Sequence, residues 1–254
     1  MMHAFFCFLV FLCAVQGTLT QQEVGFAVVN NAATTPGGIR FRDEVGECYA
    51  KQTLFDSCQQ VWAIFGLYYP DYIKIINNVT LYVGVGVGVD VGVGVGVGVG
   101  VGVGDLGVAY TNISNGNGEI HLSANYIQKF SGDVKAEVTG KIYEAMTHIW
   151  IWNGNGKAPK GLLDGIACYV RLKTNHAPSN WVKPGEGSFW DQGGDVTARF
   201  LEYCERVHSG FVAKLNKKMK DGYSYSYCYE LTGKTWPELF TEYKVKVKSL
   251  ALES

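Results

Sequence analysis

The sequence predicts an α+β fold, with a small mixed sheet on the N-terminal side and a mainly helical C-terminal half. Three observations predict it. Strand-like runs (GFAVVNN, IKIINNVTLYV, VAYTNISNGNG and GEIHLSANYI) crowd the first half of the chain. Segments with apolar residues recurring every three or four positions fill the second half. At 254 residues and 47% hydrophobic composition, the chain can bury one sizeable core, or one core with a small extra unit.

The first segment, MMHAFFCFLVFLCAVQG, has an apolar run from Ala4 to Val15 with small or polar residues after it. That is the length of a secretory h-region and too short to span a bilayer, although His3 is the only basic-type residue ahead of it. Residues 1–20 are therefore expected to be a cleaved signal peptide, leaving 21–254 as one exported domain with no stable membrane insertion. GFAVVNN then reads as a strand and TTPGG as a turn. From Asp43 to Leu67 the positions Val45, Tyr49, Leu54, Cys58, Val61, Trp62 and Phe65 mark an amphipathic helix. IKIINNVTLYV reads as the next strand.

Val83 to Gly104 is an almost unbroken Val-Gly repeat, interrupted by Asp90. Its end, Gly102-Val-Gly104-Asp-Leu-Gly107, matches G-x-G-x-x-G in form, but a strand and a turn follow where a dinucleotide site needs a helix. Alternate glycines and Asp90 also rule out a membrane span. The tract reads as a low-complexity insertion in a loop, with no chemistry of its own.

GEIHLSANYI (Gly118 to Ile127) alternates as a strand, with Ile120, Leu122 and Ala124 on one face. A helix is expected over Asp133 to Trp152, N-capped by Ser131, with Val134, Val138, Ile142 and Ala145 at helical spacing. NGNGKAPKG reverses the chain into a second helix, LLDGIACYVRLK. After the Pro- and Gly-rich HAPSNWVKPGEGS come helical segments in DVTARFLEYCERV and GFVAKLNKKM, and a last helix from about Pro237 to Lys246.

A formal net charge of −1 argues against a nucleic-acid partner. The basic run KLNKKMK (Lys214 to Lys220) is broken by apolar residues and reads as the solvated face of a helix. Beyond the signal lie Cys48, Cys58, Cys168, Cys204 and Cys228, an odd number, so at least one thiol is free or pairs between chains. Cys48 with Cys58 and Cys204 with Cys228 are the pairings closest in sequence. Asn78-Val-Thr80 and Asn112-Ile-Ser114 are glycosylation sequons, meaningful on a secretory route.

The chemistry concentrates in 143-YEAMTHIWIW-152 and the helix after it. Glu144 and His148 stand at i, i+4 on one helix face, and Asp164 and Cys168 repeat the spacing. Imidazole, carboxylate and thiolate are all zinc ligands. Each residue also has an ordinary structural role: a solvated Glu144, a hydrogen-bonded core His148, a capping Asp164, a small apolar Cys168. Trp150, Trp152, Trp181 and Trp190 suit packing, or else a shelf for peptide or carbohydrate.

From AATTPGGIRFRDEVG onward the chain resembles the plant basic secretory protein family, described as zincin-type metallopeptidases linked to defence. GVAYT, EIHLSANYI, SGDVKAEVTG, MTHIWIWNGNGKAP, GLLDGIACYVRLK, WVKPGEG, WDQGGDVTARFLEYC and GFVAKLNKKMKDGYS carry the match over nearly all of the mature chain. The resemblance implies a zincin-like fold, a zinc cofactor, an extracellular (apoplastic) location and a peptide or protein ligand. His121 lies on the strand resembling the substrate-pairing edge of zincins.

The family pattern resembles Y-H-E-M-T-H-x-W followed by G-L-x-E-G-I-A-D-Y. Laid on this chain, the first zinc histidine falls on Glu144, the general base on Ala145, and the second zinc histidine is kept as His148. Asp164 and Cys168 take the two downstream acidic positions, and which of them supplies a third ligand stays open. Ala145 has no titratable group, where a positioned acid/base contributes about 10²–10⁴-fold in rate. Three functions are therefore open: a zincin-like pseudoenzyme, a working zinc endopeptidase using His148, Asp164 and Glu144, or a metal-free defence protein that binds a partner.

Overall fold

The computed structural model describes residues 22–68, 72–85 and 107–252. The expected signal peptide and most of the Val-Gly insertion lie outside the described residues. Strands β1 (Gly25–Asn30), β2 (Asn78–Gly84), β3 (Ala109–Ser114) and β4 (Asn117–Ser123) form one mixed sheet in the order β1-β2-β4-β3. β1, β2 and β4 run parallel, while β3 runs antiparallel to β4 and forms an edge. The α+β expectation, a small mixed sheet followed by a helical half, is met. Val83 and Gly84 belong to β2, so the repeat begins inside a strand.

The alternation of β2 and β4 turns Val79, Leu81 and Val83, with Ile120 and Leu122, toward the helices. Helices α1 (Pro36–Glu44) and α2 (Glu47–Phe65) follow β1, and α3 (Ala124–Lys129) follows β4. The sheet packs on α2 and on α4 (Val134–Trp150). Gly118 allows the close approach, since a Cβ there would press on the Ile149 side chain. Trp62 of α2 and Trp150 of α4 meet edge to face at 5.1 Å. Trp150 and Trp190 are therefore packing residues, and Trp152 is half-buried with its indole N–H donating to Tyr72 O at 3.3 Å.

Several boundaries differ from expectation for local reasons. TTPGG opens a helix: Thr35 accepts from Gly38 N, and Pro36 sits at the first helical position, where its missing N–H costs nothing. The expected helix from Asp43 splits at Gly46, whose φ of +80° ends α1 and starts α2. The Ser123 hydroxyl accepts from Tyr126 N at 3.2 Å and converts the end of the predicted strand into α3. Asp133, not Ser131, caps α4, accepting from Ala136 N at 2.9 Å.

The five cysteines among the described residues are unbridged. Cys48 and Cys58 share α2, ten residues or about 15 Å apart along its axis, so the nearest-in-sequence pairing cannot form. Cys204 and Cys228 are both buried thiols. The sequon residues Asn78 and Asn112 project from the sheet face opposite the helices, Asn78 exposed and Asn112 half-buried. Among the described residues no helix is long and apolar enough to cross a membrane.

The second half is helical, as expected, with α5 (Lys160–Lys173), α6 (Gly194–Val207), α7 (Phe211–Lys218), α8 (Tyr227–Thr232) and α9 (Trp236–Leu252). α5 packs on both α4 and α6. Buried Asn216 of α7 accepts from Trp152 N at 2.8 Å and ties the end of α4 to the C-terminal half.

Lys74, expected to lie in a strand, has another task. Its ammonium donates to Ile149 O at 2.9 Å and Ile151 O at 2.5 Å, meeting carbonyls that the end of α4 leaves unpaired. Burial pushes its pKa down to about 8, below the unfolded value of about 10.4. Between those values the unfolded chain holds a proton that the folded chain has shed. Stability is therefore expected to rise with pH across that window, the burden of the buried charge being fully present only below about pH 8. Thermal unfolding of Lys74→Met beside the wild type checks this: the variant lacks that rise, and tyrosine ionisation cancels in the comparison.

Candidate active-site cleft

A cavity of about 760 Å³ opens between the β3 edge, α4, α5 and the Pro/Gly segment ahead of α6. Glu144, Ala145, His148, Asp164 and Cys168 all line it, so two helices separated by a nine-residue connection bring the five sequence-predicted positions to one wall. Trp181 lines it as well, the single indole among those considered for a binding shelf that reaches the cleft. Ala109, Tyr110 and Thr111 of β3 line the opposite side.

His121 does not line the cleft. It sits on β4, inside the sheet, stacked between Tyr110 (4.3 Å) and Tyr82 (5.1 Å), and its Nε2 bonds Glu119 at 3.1 Å. The edge facing the cleft is β3.

Glu144 is engaged on both carboxylate oxygens. Oε1 accepts from Cys168 Sγ at 3.0 Å; Oε2 accepts from Arg171 Nη1 at 3.2 Å and pairs with Lys141 Nζ at 2.8 Å. Its side chain is 14% exposed, Lys141's 19% and Arg171's 3%. Burial alone would raise the Glu144 carboxyl, but Lys141 and Arg171 outweigh it and hold the pKa below the usual carboxylate range. Arg171 reaches further: Nη2 donates to Glu137 Oε2 at 2.6 Å and Nε to His176 O at 2.8 Å. Tyr126 donates to the other Glu137 oxygen at 2.8 Å. Gly140 provides the slot, because a Cβ there would overlap the guanidinium.

The remaining positions are equally specific. The His148 side chain is 9% exposed, and desolvation pushes its imidazole down to about 4, so it is neutral at ordinary pH. Its Nε2 lies 3.9 Å from Asp164 Oδ1, while Asp164 Oδ2 accepts from Lys160 at 2.6 Å. Asp164 therefore does not cap α5. Burial and then the Glu144 carboxylate push the Cys168 thiol well up, so in this arrangement it is protonated and donates to Glu144. Ala145 offers a methyl group to the cavity.

Zinc needs deprotonated ligands with free lone pairs around a tetrahedron. Here Glu144 already serves two cations and a thiol with three of its roughly four acceptor sites, Asp164 is shared with Lys160, and the Cys168 thiol is directed at Glu144. The arrangement does not fit the ion. Among the described residues no group of three His, Cys, Asp or Glu is placed to hold a metal. Sequence reasoning missed Glu137, Lys141 and Arg171; the available signal was charge on helix faces that otherwise read as buried.

Comparison with known proteins adds the following. The sequence model of the BSP family, described as peptidase of plants and bacteria, matches residues 21–243. A curated protein named basic secretory protease, from Boswellia serrata, is 59% identical over 29 residues. The match covers 11% of this chain and 45% of that relative, so less than half of the relative's length is spanned. No solved structure matches.

Proposed function

Because the chain belongs to the BSP family of peptidases of plants and bacteria, we propose that it is a secreted, defence-associated member with a zincin-like scaffold and a degenerate catalytic site. Its cleft binds an extended peptide or a partner protein without cleaving it. One observation carries this reading: at the general-base position Ala145 presents a methyl group to the cavity, where the chemistry needs a carboxylate to take a proton from water. The N-terminal sequence and the relative's name support secretion. For binding, edge strand β3 lines the cavity and offers backbone groups on its outer side, the arrangement a peptide uses when it adds as a further strand.

His148 and Asp164, adjacent in the cleft, favour the alternative of a working zinc endopeptidase. Casein hydrolysis by mature protein from a secretory host, with and without a chelator, separates the two. The expected rate is at least about 10²-fold below that of a family member retaining the glutamate. Casein cleavage at a rate comparable with such a member, lost on chelation, would overturn the proposal.

A further inference from the structure

Resting on the reading of α4 as a degenerate peptidase centre, we infer that two protein cations, Lys141 and Arg171, have taken the place of the metal ion. They neutralise Glu144 from within the fold, and Lys141 excludes divalent cations from the cleft.

The two cations have different duties. Arg171 is fixed by Glu137, by the His176 carbonyl and by the slot at Gly140, and it is almost wholly buried. It cannot swing aside to release Glu144. Lys141 stands one turn before Glu144 on α4, with its ammonium 2.8 Å from Oε2 inside the cleft. A zinc ion bound at about 2 Å from that oxygen would stand within about 5 Å of the ammonium. Repulsion between a dication and an ammonium at that range, in partly dry surroundings, lowers affinity by orders of magnitude. At Oε2, the oxygen that Lys141 and Arg171 share, the ion would also have to displace a cation before it could bind. A histidine restored at 144 fares no better while Lys141 remains, because the ammonium then loses its carboxylate and faces the metal site unpaired.

The test is zinc binding by the full mature chain, measured as zinc content after dialysis and by calorimetric titration. Wild type is expected to retain no stoichiometric zinc. Glu144→His/Ala145→Glu is expected to bind zinc at least about tenfold more weakly than the same protein carrying Lys141→Met, the effect of deleting one unit charge beside a dication. Lys141→Arg in that background keeps the charge and stays weak. Circular dichroism establishes the fold of each variant, and Lys141→Gln replaces Lys141→Met if the latter does not fold. One zinc per wild-type chain, or equal affinities with and without Lys141, overturns the inference. The two readings fail separately. Zinc-free hydrolysis of casein by wild type overturns the proposed function alone, and zinc uptake without hydrolysis overturns only metal exclusion.

Discussion

Arg171→Met is expected to lower the stability of the folded chain by about 3–5 kcal/mol, the range for breaking a buried ion pair by removing one partner. The size follows from what the guanidinium serves. It pairs with Glu137 at 2.6 Å and with Glu144 at 3.2 Å, and it donates to the His176 carbonyl at 2.8 Å, all in a nearly dry setting. Methionine fills the volume and restores none of these bonds, leaving Glu137 without its cation and Glu144 with Lys141 alone. Arg171→Lys should recover part of the loss, since one ammonium cannot span both carboxylates in the way a planar fork does. Adding Glu137→Gln and Glu144→Gln to Arg171→Met should also recover part, because a buried amide costs less than an unpaired charge. Urea unfolding of the series measures this. A loss below about 1 kcal/mol for Arg171→Met would mean that the network orders the cleft without stabilising the fold.

Trp236→Ala is expected to cost a similar amount, about 3–5 kcal/mol, at the other end of the helical half. Trp236 is fully buried and stacks on Trp190 with centroids 4.2 Å apart and planes 10° from parallel. Phe200 and Phe211 meet it edge-on at 6.3 and 5.9 Å. Trp190 ends the Pro/Gly segment that borders the cleft, and its carbonyl accepts from buried Thr197 at 3.0 Å. Asp195, in the first turn of α6, accepts from Val182 N at 2.8 Å and holds that segment beside Trp181. Loss of the indole should therefore lower the melting temperature by roughly 2–4 °C per kcal/mol and also loosen the cleft wall. Thermal unfolding reads the first effect; quenching of Trp181 fluorescence by acrylamide reads the second. Unchanged quenching would separate the aromatic cluster from the cleft.

Much of the architecture was legible in the residues. Strand-like runs, one of them clearly alternating, located the four strands, and helical patterning located α2, α4, α5, α6, α7 and α9. The misreadings came where one side chain overrode a pattern. Thr35 and Pro36 made a helix start of an apparent turn, and Ser123 cut a strand short. α8, six residues long, has too few turns to show a period.

For the site, sequence alone singled out Glu144, Ala145, His148, Asp164 and Cys168, which the structure brings to one cleft wall. It also determined that position 145 cannot titrate, because that is a property of one side chain, alanine. What Glu144 does was decided by the tertiary structure. Lys141 is three residues away and Arg171 twenty-seven, and neither spacing announces an ion-pair network. The energy of a charge depends on burial and on which opposite charge lies within a few ångströms, and only the packing of α5 on α4 sets those distances.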